Sequence, residues 1–140
     1  MRGSGIMNQD PEVNSALSEL KLEHVVFDTL SFNRIGFQQK EQNIKLKVGV
    51  SVNQLADSKY RVSLKVSVER ESEYTAEVQV SGFCSISESC VAKDEILKKN
   101  AVAVLFPYVR SELTLLTAQP ETTPIVLPVM NINAMIDNAE

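Results

Sequence analysis

The stretch from Ile44 to Gly82, IKLKVGVSVNQLADSKYRVSLKVSVERESEYTAEVQVSG, decides the fold class. Ile44, Leu46, Val48, Val50 and Val52 alternate with Lys45, Lys47, Gly49, Ser51 and Asn53, the pattern of a strand with one buried face and one wet face. The pattern resumes beyond Asp57 and Ser58, where Tyr60, Val62, Leu64, Val66 and Val68 alternate with Arg61, Ser63, Lys65, Ser67 and Glu69. Two such runs separated by turn-forming residues predict a hairpin. After the charged link Arg70 to Glu73, a further strand carries Tyr74, Ala76, Val78 and Val80. At Gly82 the alternation ends, with Phe83 and Cys84 adjacent, and a bulge is expected there. Short links and one-sided polarity favour an antiparallel meander.

Upstream, the even positions Leu20, Leu22, His24, Val26, Asp28, Leu30 and Phe32 predict one long strand, interrupted by two polar residues. Downstream, the period changes. Val102, Phe106, Val109, Leu113 and Leu116 follow the spacing of an amphipathic helix, with Arg110, Ser111 and Thr114 on the other side. Asn100 is a candidate N-cap, although the helix could begin at Lys93, and Pro107 should kink it. Ala101, Leu105, Tyr108 and Leu115 add a second apolar row, wider than one sheet contact requires, so an oligomer interface is expected. Gln119 to Pro124 reads as a loop, Ile125 to Leu127 as a short extended piece, and Ile132, Met135 and Ile136 as a short terminal helix. The fold class is therefore α+β: a four-stranded antiparallel sheet with a long kinked helix and a short C-terminal helix packed on one face.

The 140 residues are 44% hydrophobic and 23% charged, enough for one domain with a core. Met1 to Ile6 reads as an expression tag, leaving residues 7–140 as a single domain. A net charge of −4 argues against a nucleic-acid binder, and no apolar run suits a membrane span or a signal peptide, so a cytoplasmic protein is expected. No metal site or cofactor is expected from two cysteines and one histidine. Cys84 and Cys90 are read as reduced thiols. No nucleophile elbow, phosphate loop or zinc-protease motif occurs, and Cys84 with His24 is a poor dyad, so no catalytic residue is assigned and the chain is expected not to be an enzyme. SISESC reads as a solvated loop. Function by surface remains. Ile35 and Phe37 stand in the polar connection RIGFQQKEQN without a strand period, either tucked into the core or exposed as part of an apolar groove.

The run from Ala103 to Met135, AVLFPYVRSELTLLTAQPETTPIVLPVMNINAM, resembles the SecB and SecB-like export chaperones in its Leu105, Phe106, Pro107, Tyr108 and Arg110 signature, its Pro128 and its Asn-x-Asn-Ala helix start. Glu77, Val78, Gln79, Gly82, Ser85 and Ile86 are similar to that family's last strand. The resemblance implies an ATP-independent holdase that holds unfolded clients, assembled as a homo-tetramer, a dimer of dimers, or as a dimer. It implies a client groove of Ile35, Phe37, Leu127, Val129, Met130, Ile132, Met135 and Ile136, and an oligomer interface through Ala101, Leu105, Tyr108, Val109 and Leu113. It further implies docking of the motor SecA at Glu77, but Thr29 and Asn33 stand where more acidic residues are expected, which speaks against that partner. The connection after Phe37 also looks one residue short of the family pattern and lacks a tryptophan often found there. The alternative function is a dedicated SecB-like adaptor for one partner, such as an antitoxin.

Overall fold

The computed structural model describes residues 20–37 and 43–128. Strands β1 (Leu20–Arg34), β2 (Ile44–Ala56), β3 (Lys59–Arg70) and β4 (Tyr74–Ile86) form one antiparallel sheet in the order β1-β4-β3-β2. Helix α1 (Lys93–Ile96), a π-helical turn (Leu97–Ala101) and helix α2 (Val102–Thr117) follow one another without a gap and act as one long helix. This is the α+β architecture read from the alternation and the helical stripe. The stretches expected to form a short terminal helix and an expression tag, within residues 129–140 and at Met1 to Ile6, lie outside the described residues.

The core forms where the helix crosses the two central strands. Val62, Leu64, Val78 and Val80 have no exposed surface beneath Val102, Leu105, Val109 and Leu113, which have none either. Each such side chain contributes about 1.5–3 kcal/mol when withdrawn from water. The helix begins at Lys93 after Ala92, which takes a left-handed conformation at φ 61°, so Asn100 lies inside the π-helical turn and caps nothing. It runs on through Pro107 to Thr117.

Two expectations for the sheet need correction. Gly82 makes no bulge: it pairs in register with both Val25 and Val62, and the alternation continues through Cys84 to Ile86. Its lack of a side chain serves packing, since a Cβ there would stand 2.8 Å from Leu22 Cδ1 and 3.2 Å from Leu105 Cδ2. The irregularity lies instead in β1, whose register with β4 shifts between Leu22 and His24 and again between Phe27 and Thr29. Glu23 and Asp28 are the extra residues. The first bulge moves the inward set to Val25 and Phe27, and the second returns it to Leu30 and Phe32. Both bulge carboxylates are held on the outer face, Glu23 by Lys59 at 3.0 Å and Asp28 by Arg61 at 2.5 Å. The Lys59 ammonium holds the Glu23 carboxyl below its ordinary pKa.

Candidate functional site

The helix lies over β4, β3 and β1, while β2 meets it mainly at the π-helical turn. The inward row of β2 is consequently left partly open. Ile44 is 50% and Leu46 36% exposed, and Val48, Val50 and Val52 are only partly covered. At the far end this trough widens into a cavity of about 780 Å³ between Val50, Val52, Gln54 and Tyr60 on one wall and Lys93, Asp94, Glu95 and Lys98 on the other. At the near end stand Ile35 and Phe37, 58% and 74% exposed. They do not tuck into the core. Apolar side chains are thus exposed in two places, along the inner row of β2 and at Ile35 and Phe37 after β1, at the other edge of the sheet.

Backbone bonds to the β3–β4 turn hold the near end. The amides of Ile35 and Gly36 both donate to the Glu73 carbonyl, at 2.8 and 3.1 Å. Gly36 passes so close to the turn that a Cβ would stand 2.6 Å from the Ser72 carbonyl oxygen. The same turn holds the linker that follows α2. The buried Glu73 carboxylate accepts from the Thr123 amide at 2.8 Å, and Arg34 donates to the Pro120 carbonyl at 3.0 Å and to the Thr122 hydroxyl.

Beyond Thr123 the linker runs back along α2 on side-chain bonds. Thr117 Oγ1 accepts from the Ile125 amide at 2.9 Å, Thr114 donates to the Ile125 carbonyl at 3.1 Å, and Arg110 Nε donates to the Leu127 carbonyl at 2.7 Å. Residues 110, 114 and 117 are one helical row, so the polar side of the amphipathic pattern is a docking rail. Ile125 and Leu127 turn inward, 7% and 6% exposed, and Val126 turns out at 63%. Leu127 thus anchors the linker in the core. Val129, Met130, Ile132, Met135 and Ile136 lie outside the described residues.

The five interface residues divide. Ala101, Leu105, Val109 and Leu113 are 2% exposed or less within their own chain, because they face the sheet, whereas Tyr108 is 44% exposed. Tyr108 continues an outward row through Val104 at 47% and Leu115 at 62%, and its ring meets Phe27 edge-on at 6.4 Å. Leu30, on the same face of β1, is 46% exposed.

On the outer face, Glu77 accepts from Ser67 at 3.1 Å and faces Lys65 at 3.7 Å, with Thr29, Ser31, Asn33 and Thr75 around it. A neutralised carboxylate among hydroxyls and an amide is a poor acidic patch. Cys84 points inward and His24 outward, beside Phe83, so the sheet separates them and the dyad does not form. Burial pushes the Cys84 thiol up to about 11. Among the described residues no group of His, Cys, Asp and Glu could hold a metal ion, and no helix is long and apolar enough to cross a membrane.

The trough along β2, with Ile44 and Leu46 exposed, is the part that sequence reasoning missed. Alternation assigns that row to a buried face, and only the position of β2 at the sheet edge opens it.

A four-stranded antiparallel sheet crossed by one long helix, with an apolar row left open at its edge, is an arrangement that can take up apolar polypeptide segments. The family profile described as preprotein translocase subunit SecB matches residues 8–140, so the chain belongs to the SecB family. It is 26% identical to an uncharacterized protein of Methanocaldococcus jannaschii, over 86% of this chain and 84% of that one. It is also 26% identical to the protein-export protein SecB of Methylococcus capsulatus, over 91% of this chain and 86% of that one. Among solved structures, the SecB-like chaperone of Mycobacterium tuberculosis, in complex with a ChAD peptide from the HigA1 antitoxin, superposes with a TM-score of 0.70 at 13% identity. The match covers 85% of this chain and 96% of that one and establishes likeness of fold.

Proposed function

We propose that the protein is an ATP-independent holdase that binds unfolded or aggregation-prone polypeptides along the β2 trough and the surface around Phe37. The observation that carries this reading is the uncovered apolar row of β2, together with the exposed Ile35 and Phe37. The family resemblance assigns Val129, Met130, Ile132, Met135 and Ile136 to client binding as well. No cofactor and no chemical step enters this function, and the protein acts in the cytoplasm, as suits a chaperone of this family. Weak apolar contacts gain strength when one long client meets several grooves, because each later contact is intramolecular.

That advantage needs an oligomer. The outward patch of Val104, Tyr108, Leu115, Phe27 and Leu30 supports a homo-dimer or tetramer. Light scattering of an aggregating unfolded client tests the holdase directly: suppression at near-stoichiometric protein is expected, and none at several-fold excess would refute it. A dedicated role for one partner is the second reading, favoured by the antitoxin peptide in the structure of the mycobacterial chaperone and by the weak acidic surface at Glu77. Pull-down from native lysate separates the two, since a broad set of proteins supports the general holdase and one dominant band the dedicated chaperone.

A further inference from the structure

We propose that Arg34 is a positioning residue for client binding: its guanidinium fastens the segment carrying Ile35 and Phe37 to the linker that follows α2 and so fixes how Phe37 is presented. The inference rests on the chaperone reading and names the side chain that sets the geometry of the Phe37 surface.

An exposed aromatic side chain just past the end of a strand is ordinarily loosely held. Here the backbone that leads into Phe37 is pinned on both sides. The Ile35 and Gly36 amides donate to the Glu73 carbonyl, and the Gly36 carbonyl accepts from Arg34 Nη1 at 2.8 Å. The same guanidinium reaches the linker. Its Nη2 donates to the Pro120 carbonyl at 3.0 Å and to the Thr122 hydroxyl, and its Nη1 donates to the Glu121 carbonyl at 3.4 Å. Glu121 takes a left-handed conformation at φ 56°, and this turn brings the carbonyls of Pro120 and Glu121 to one side chain. The Thr122 hydroxyl accepts from Arg34 because its own hydrogen goes to the Pro120 carbonyl at 2.9 Å. All four acceptors are neutral, so the guanidinium works as a planar fork rather than as a countercharge.

The contacts close into a circuit. Arg34 lies over the Phe32 ring at 5.9 Å, and Phe32 packs on Tyr74 with centroids 5.1 Å apart. The Tyr74 hydroxyl and the Glu73 carboxylate take the two backbone groups of Thr123, and the Glu73 carbonyl returns to Gly36. Within it, Arg34 bonds the Phe37 segment and the linker through one side chain. An exposed apolar group on a fixed backbone loses little freedom when a client binds, and that preorganisation strengthens binding. Arg34 itself is exposed, so replacing it leaves the core intact.

The test uses the full chain with fluorescein-labelled, reduced and carboxymethylated lactalbumin as a permanently unfolded client, read by fluorescence anisotropy. Arg34→Gln should weaken binding about tenfold through lost preorganisation. Arg34→Lys should do nearly the same, because one ammonium cannot span Gly36 and the linker together. In a Phe37→Ser background, Arg34→Gln should have little further effect, since Arg34 acts through Phe37. Amide hydrogen exchange in Arg34→Gln should quicken at residues 35–36 and 121–123 together. Unchanged affinity in both Arg34 variants, additive losses with Phe37→Ser, or faster exchange in only one of the two segments overturns the inference. So does full binding by Arg34→Lys beside a loss in Arg34→Gln, which would show that the charge itself meets the client. Failure of the unaltered chain to bind the client overturns the chaperone reading and this inference with it, whereas binding that ignores Arg34 overturns the inference alone.

Discussion

The Tyr74 hydroxyl donates to the Thr123 carbonyl at 2.6 Å, tying the first residue of β4 to a linker 49 residues downstream. With Glu73 on the Thr123 amide, the β3–β4 connection grips both backbone polar groups of one linker residue. Tyr74→Phe keeps the ring against Phe32, 5.1 Å away between centroids, and removes only the hydroxyl. A loss of about 1 kcal/mol in chemical denaturation is expected. Amide exchange should quicken in residues 121–127 and stay slow in β3 and β4.

Gly36→Ala tests the loop anchor on the same turn. The new Cβ cannot coexist with the Ser72 carbonyl oxygen at 2.6 Å, and that oxygen belongs to backbone that has little room to yield. The two amide bonds to Glu73 should lengthen or break. The expected result is weaker client suppression with global stability reduced by about 1–3 kcal/mol, the range for overpacking, read by light scattering and denaturation together.

Helix α2 should separate assembly from folding. Tyr108→Asp changes a residue that is 44% exposed in the single chain and should dissociate the oligomer while leaving far-ultraviolet circular dichroism unchanged. Leu105→Ala opens a cavity at a position with no exposed surface and should cost about 2–5 kcal/mol of stability. Sedimentation velocity beside thermal melts distinguishes the two, and loss of secondary structure in the Tyr108 variant would contradict the division.

The two thiols should differ in reactivity. Cys84 is 1% exposed, and with its thiol pushed up to about 11, about one in a thousand would be thiolate at pH 8. Titration with a disulfide reagent at that pH should show fast labelling of Cys90 alone, and Cys84 should react only after denaturant is added. Raising the pH toward 11 should speed labelling of Cys84, because deprotonation supplies the nucleophile.

The hairpin of β2 and β3 and the inward set of β4 were legible because alternation is a local property of the chain. The phase of β1 was not. Val25 and Phe27 break an even-numbered row, and only pairing with β4 shows that Glu23 and Asp28 are bulge residues that shift it twice. On the helix, the second apolar row straddles the boundary of the buried arc, so Ala101 and Leu105 face the sheet while Tyr108 and Leu115 face outward. Helical spacing gives the width of an apolar arc, and the neighbour decides where burial ends. The exposure of Ile35 and Phe37, left open by the sequence, follows from the tether of Ile35 and Gly36 to the β3–β4 turn. The trough needed the strand order, since the residues that open it match those that fill the central strands.

Site-specific photo-cross-linking to an unfolded client tests the central claim most directly, with the photoreactive side chain placed at position 46 in the trough or at position 65 on the outer face. Strong client adducts from position 46 and few from position 65 are expected, because Leu46 opens into the apolar row and Lys65 faces Glu77. Equal labelling from both positions, or adducts from position 65 alone, would contradict a client site on the inner face of β2.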